Sequence, residues 1–169
     1  MKTLVKTLLL ITGLVMAACS REGGGMFGGD SGAGYDAVLP DDGGVTPESV
    51  AYFQSTIGDR VLFAVDQSTL SPEGRTLLAD QADWLLQNVG YSAIVEGHAD
   101  EQGTREYNLA LGARRASTVR EFLISRGVSA ARLRSVSYGK ERPIELCSDE
   151  ICYRQNRRAV TVLSAGLSG

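Results

Sequence analysis

Nine glycines fall between Ser20 and Glu48, among them Gly23-Gly24-Gly25 and Gly43-Gly44, and the stretch carries almost no periodic apolar pattern. Such a segment cannot bury enough apolar surface to offset the entropy of ordering it. It is expected to act as a flexible leash with a typical span of about 30 Å. The foldable chain is thereby confined to the residues after Glu48, enough for a single ordinary core with no room for a second lobe.

Ahead of the leash, Lys2 and Lys6 precede an apolar run from Leu8 to Val15, and Ala17 and Ala18 stand immediately before Cys19. Charge, apolar stretch and small residues in that order mark an export segment, and the run is short of the roughly 20 residues of a spanning helix. The arrangement resembles a bacterial lipoprotein signal, with Met16 where leucine is usual. That resemblance implies cleavage after residue 18 and acylation of Cys19; more than one acyl chain anchors where a single chain is marginal. Ser20 stands where an aspartate would signal inner-membrane retention, which implies a place in the outer membrane facing the periplasm. The expected organisation is a signal over 1–18, lipidated cysteine and tether over 19–48, and a folded domain over 49–169. Loss of two lysines from 17 basic residues leaves 15 against 20 acidic side chains, a balance of −5. That charge argues against a nucleic-acid partner.

Pro47 and Glu48 are expected to open a short helix through Gln54. A strand rich in β-formers follows at Arg60–Val65. Ser71-Pro72-Glu73 is a helix start, with serine as cap and proline at the first helical position. Leu77, Leu78, Gln81, Trp84, Leu85 and Asn88 then keep the helical period, with Gly90 as the stop. Tyr91–Glu96 alternates as a second strand. From Glu106 to Ser125 a long helix is predicted to turn Leu109, Ala113, Ala116, Val119 and Leu123 to one face. Leu133–Tyr138 and Arg158–Leu163 read as further strands, with a short helix around Asp149–Gln155 between them. The order β-α-β-α-β-(α)-β implies an α/β fold with a mixed sheet and helices packed on one face.

Between the second strand and the long helix lies Gly97-His98-Ala99-Asp100-Glu101-Gln102-Gly103, followed by Asn108, Arg114 and Arg115; Asn156-Arg157-Arg158 enters the last strand at the same end of the expected sheet. An aspartate pairs with an ammonium, and an arginine fork clamps a carboxylate. A ligand with both charges on one carbon, such as a free amino acid or the side-chain end of meso-diaminopimelate, would match. Arg114 and Arg115 both flank the apolar face, so periodicity does not choose between them.

The blocks from Gly97 to Asn108, Leu111 to Ala116, Val136 to Pro143 and Asn156 to Val160 closely resemble the OmpA-like peptidoglycan-binding family, in its lipid-anchored, peptidoglycan-associated branch. The likeness spans about residues 58–164. It implies the OmpA C-terminal fold and non-covalent binding of uncrosslinked stem peptide, so no enzyme activity and no cofactor. On this resemblance Asp100 contacts diaminopimelate, Arg115 rather than Arg114 clamps it, and Asp66, Asn108, Asn156 and Arg157 complete the ligand set, with Phe63 and His98 as contacts or loop organisers. Val65 stands where the family commonly has phenylalanine. The resemblance also implies a periplasmic protein partner, TolB, within the Tol system of envelope constriction.

The competing reading is a zinc amidase built on Glu96, His98 and Asp100, but such a site needs about three or four converging protein ligands and the chain has one histidine. No metal is expected. Cys147 and Cys152, the cysteines of the folded part, form an even pair in an exported chain and are expected to make a disulfide. Five residues of unbroken helix would hold them about 8–9 Å apart, beyond bridging reach. Cys147 is therefore expected in the approach to the short helix and Cys152 within it.

Overall fold

The computed structural model describes residues 45–165. The export segment, Cys19 and the leash as far as residue 44 lie outside the described residues. The expected tether residues Pro47 and Glu48 are already pinned, because the Trp84 indole donates to the Pro47 carbonyl at 2.7 Å and the Tyr91 hydroxyl to that of Glu48 at 3.1 Å. The first helix, α1 (Val50–Tyr52), starts later than Pro47 and Glu48 suggest, since Ser49 supplies the cap by accepting from the Tyr52 amide. It widens into a π-type turn at Phe53–Gly58.

The remaining elements are β1 (Arg60–Leu62), α2 (Pro72–Gln87), β2 (Tyr91–His98), α3 (Arg105–Ser125), a 3-10 turn at Ala130–Arg132, β3 (Leu133–Gly139), α4 (Glu150–Asn156) and β4 (Arg158–Ala165). They form one four-stranded sheet in the order β1-β4-β2-β3. β4 runs antiparallel to both neighbours and β2 parallel to β3, so the sheet is mixed. The β2-α3-β3 unit is the crossover that a parallel pair requires. Ends of β1, β2 and β3 and the start of β4 meet at one end of the sheet, and the loops gathered there carry the polar motif.

Ser71 caps α2 and Thr104 caps α3, each accepting from the backbone amide three residues on. Leu78, Ala82 and Leu85 of α2, Ala116, Val119 and Leu123 of α3, and Ala93, Val95 and Ala159 of the sheet form the core with Phe53 and Trp84. Gln81, fully buried, ties three layers: its amide donates to the Gly58 carbonyl and its carbonyl accepts from the Thr161 hydroxyl. Two expectations change. Strand β1 stops at Leu62, because the Ala64 carbonyl is drawn off to the Arg115 side chain. The buried face of α3 runs through Asn108, Leu111, Gly112, Arg115, Ala116, Val119 and Leu123, leaving Leu109 and Ala113 exposed.

Cys147 and Cys152 are bonded, with Cα atoms 5.8 Å apart. Cys147 precedes α4 and Cys152 lies inside it. A loop this short contributes about 2 kcal/mol in the chain-entropy account.

Helix α3 sits on β2 through a contact of two glycines. A Cβ on Gly97 would lie 1.9 Å from the Gly112 carbonyl oxygen, and one on Gly112 would lie 2.4 Å from the Ser137 hydroxyl and 2.9 Å from the Gly97 carbonyl. Backbone meets backbone here, so a side chain cannot be accommodated by rotamer change. Gly97→Ala is expected to destabilise the domain by about 3 kcal/mol, at the upper end of overpacking costs, measured as a drop in the urea midpoint. An unchanged midpoint would show that α3 lifts from the sheet freely.

Candidate functional site

Arg115 is wholly buried, and its guanidinium is the hub of the loop end. Its Nε donates to the Gln67 carbonyl at 2.8 Å, one terminal nitrogen to the His98 carbonyl at 2.8 Å and the other to the Ala64 carbonyl at 3.2 Å. Phe63 lies beneath it, ring centre 5.2 Å from the guanidinium carbon. Three of five N–H groups are thus used, and no carboxylate among the described residues is within ion-pair distance of it. Burial lowers its pKa to about 10, opposed by Asp100 and Asp66, so it stays a cation at neutral pH.

Beside it opens a cleft of about 270 Å³, walled by Asp66 and Val65 from the β1–α2 loop, Asp100, Gln102 and Gly103 from the β2–α3 loop, Tyr107, Asn108, Leu111 and Arg115 from α3, and Arg157 at the head of β4. Asp66 holds φ at 58°, an uncommon conformation for a residue with a side chain, and accepts from the Tyr107 hydroxyl. Asp100 accepts the Gln102 amide at 3.2 Å on one oxygen and Arg157 at 3.1 Å on the other. The Asn108 amide donates to the Gln102 carbonyl at 2.7 Å, shaping the loop. Arg157 also donates to the Phe63 carbonyl and to both oxygens of Glu150. Burial would lower the Arg157 pKa, but the hydrogen bonds it donates to Glu150 and Asp100 raise it. Two carboxylates and two guanidiniums therefore line one cavity, an arrangement suited to a zwitterion.

Five expected site residues, Asp66, Asp100, Asn108, Arg115 and Arg157, meet in the cleft. Arg114 is exposed on the other side of α3. Asn156 is not part of the wall. Its carbonyl oxygen accepts from the Ile144 and Glu145 amides and its NH2 donates to the Glu145 carbonyl, fixing the loop before α4. Phe63 is buried under Arg115 and shapes the site from below. His98 turns to the opposite face of the sheet, and only its carbonyl serves the cleft. Its ring packs 5.6 Å from that of Tyr138, with Nε2 3.6 Å from Glu96, and neither ring nitrogen has a hydrogen-bond partner among the described residues. A hydrogen-bonded organiser is thus not what its ring is. Cys147, Asp149 and Cys152 are the one set of three groups with metal-ligand spacing among the described residues, and the two sulfurs are bonded to each other. Sequence reasoning missed Tyr107, Gln102 and Glu150. Tyr107 was legible as the polar-tipped aromatic next to Asn108 in the first turn of α3, whereas Glu150 stood inside the expected short helix with no role assigned to it.

A profile of the OmpA family matches residues 62–157. The chain is 55% identical over 129 residues to a peptidoglycan-associated lipoprotein of Mesorhizobium japonicum, covering 76% of this chain and 77% of that one. It is 46% identical over 156 residues to that of Brucella melitensis, covering 92% and 89%. Among solved structures, the peptidoglycan-associated lipoprotein of Burkholderia pseudomallei superposes with a TM-score of 0.65 at 36% identity, over 70% of this chain and 100% of that one. The C-terminal domain of Helicobacter pylori MotB, at 22% identity and a TM-score of 0.59 over 64% and 86%, shares the fold.

Burial pulls the His98 pKa down to about 4, with Arg158 and Arg142 adding to the shift. An unfolded chain takes up this proton near 6.5, so between about pH 6.5 and 4 the unfolded state binds more protons and stability falls as pH falls. Relative to pH 7.5, this residue alone is expected to remove about 2 kcal/mol by pH 5. His98→Phe should flatten that part of the stability profile, read by urea unfolding at successive pH values. Parallel profiles for the two proteins would refute the assignment.

Proposed function

This chain belongs to the OmpA family, and we propose that it is a binding module, not an enzyme, which holds peptidoglycan non-covalently and ties it to the outer membrane. The observation that carries this reading is the cleft in which Asp66, Asp100, Arg115 and Arg157 converge. The side-chain end of meso-diaminopimelate carries an ammonium and a carboxylate on one carbon. Asp66 and Asp100 offer acceptors to the first, and the two arginines offer donors to the second. Such recognition is selective, because a charge left unpaired in a shielded cleft costs several kcal/mol. Lysine-type stems, which lack the carboxylate, should bind less well. The peptidoglycan-associated lipoproteins of Mesorhizobium japonicum and Brucella melitensis supply the same reading by their names. Residues 1–18 as a signal, acylated Cys19 and a tether over 19–48 would let the domain over 49–169 reach the wall from the membrane face. By the same family resemblance, TolB of the Tol system is proposed as its periplasmic protein partner. Among the described residues no helix is long and apolar enough to cross a membrane.

Calorimetry with a diaminopimelate stem peptide tests the cleft. Asp100→Ala and Arg115→Ala are each expected to cost about 2–5 kcal/mol of binding, while exposed Arg114→Ala leaves affinity unchanged. Circular dichroism of each variant separates lost binding from lost fold, and equal losses at both arginines would refute the assignment. Intact-mass analysis of membrane-extracted protein is expected to show a chain beginning at acylated Cys19; an unmodified, soluble chain would overturn the anchor.

A further inference from the structure

The two arginines of the cleft are not in the same electrostatic state. Among the described residues Arg115 is bonded to carbonyls only, whereas Arg157 faces two carboxylates. Asp100 reaches one terminal nitrogen at 3.1 Å, and Glu150 places one oxygen 3.3 Å from that nitrogen and the other on its twin. Two oxygens on two terminal nitrogens is the end-on fork that an incoming carboxylate would use. We infer that Glu150 sets the affinity of the cleft for acidic ligands through Arg157, as an internal carboxylate that a ligand carboxylate has to replace. The inference rests on the peptidoglycan reading above and refines it.

The two acids differ in how they are held. The Asp100 side chain is 10% exposed and its second oxygen is committed to the Gln102 amide, so it stays. The Glu150 side chain is 66% exposed while that of Arg157 is 4% exposed. Glu150 is the first residue of α4 and is not its cap, a task that belongs to Asp149. It can therefore swing into water as a solvated carboxylate without uncapping the helix, and Arg157 remains tied to Phe63 and Asp100. A ligand carboxylate restores the fork that Glu150 gives up. A carboxamide at the same place cannot, because its NH2 opposes the guanidinium and only one acceptor oxygen remains. Glu150 thus holds back the ligands that claim the fork, because they must displace it, and leaves amidated ones, which cannot take its place, unaffected.

The test is calorimetric titration of the full chain in detergent with two probes, the tripeptide ending in meso-diaminopimelate with a free side-chain carboxylate and the same tripeptide amidated there. Glu150→Gln is expected to bind the free acid about two- to fivefold tighter, the scale of one exposed charge contact, with the amidated probe unchanged. Glu145→Gln removes a neighbouring exposed carboxylate without a bond to Arg157 and should alter neither affinity. Unchanged or weaker binding of the acid by Glu150→Gln overturns the inference, as does equal tightening of both probes or an equal gain from Glu145→Gln. If wild type binds neither probe, the peptidoglycan reading falls too, so the two failures are told apart by the wild-type titration.

Discussion

A buried guanidinium with no carboxylate of its own holds the working end of this domain together. Arg115 accepts the desolvation cost of full burial, visible in its lowered pKa, and in return bonds carbonyls of the β1–α2 loop and of the end of β2. That of Ala64 also accepts from the Gln67 amide, and where strands stop a buried carbonyl needs such a donor. The residue that reads as a ligand clamp is therefore also what positions Asp66 and Asp100 around itself. On the proposed function, structure and recognition are one interaction here, since the loops are built on the same cation that lines the cleft.

The guanidinium reaches its place because of how α3 is seated. Gly97 and Gly112 let helix and strand backbones touch, and the contact fixes the rotation of the helix. Once Gly112 faces β2, Asn108 and Arg115 lie one turn to either side of it on the same face, while Ala116, Val119 and Leu123 continue into the core. A helix held further from the sheet by larger residues would carry Arg115 out of reach of three carbonyls at once. The cleft is in this sense a consequence of two missing side chains.

Element order, sheet type and the pairing of Cys147 with Cys152 were legible because each rests on local patterns: the cap at Ser71, β-rich runs, and a spacing that fits a bridge only off the helix. The inward face of α3 was legible in its second half, at Ala116, Val119 and Leu123, and not in its first. Choosing the inward stripe by apolar residues pointed it at Leu109 and Ala113, roughly one residue from the true face, because Asn108 and Arg115 counted as polar although they are buried. For the same reason periodicity could not separate Arg114 from Arg115; family likeness did. Asn156 belonged to a motif in sequence, yet its amide turns toward Ile144 and Glu145, a choice made by a loop whose path no local pattern encodes. Glu150 escaped notice although its partner Arg157 lies only seven residues on, at the C-terminal end of the same short helix.

Helix α4 has seven residues, too few to persist alone, so the position of Glu150 is a tertiary matter. The strap from Lys140 to Asp149 contains no helix or strand, and side-chain contacts along its length fix it. Lys140 donates to the Glu101 and Gly103 carbonyls, the Arg142 guanidinium stacks 3.6 Å from the Tyr138 ring centre, Asn156 holds the Ile144 and Glu145 amides, and the disulfide ties the strap to α4. Tyr153 of α4 donates to Glu101, joining the short helix to the β2–α3 loop. The strap thus links the wall that carries Asp100 to the helix that carries Glu150, and both acids meet on Arg157. The bridge stabilises only a short loop, but that loop sets the distance between the two carboxylates that govern one cation of the cleft.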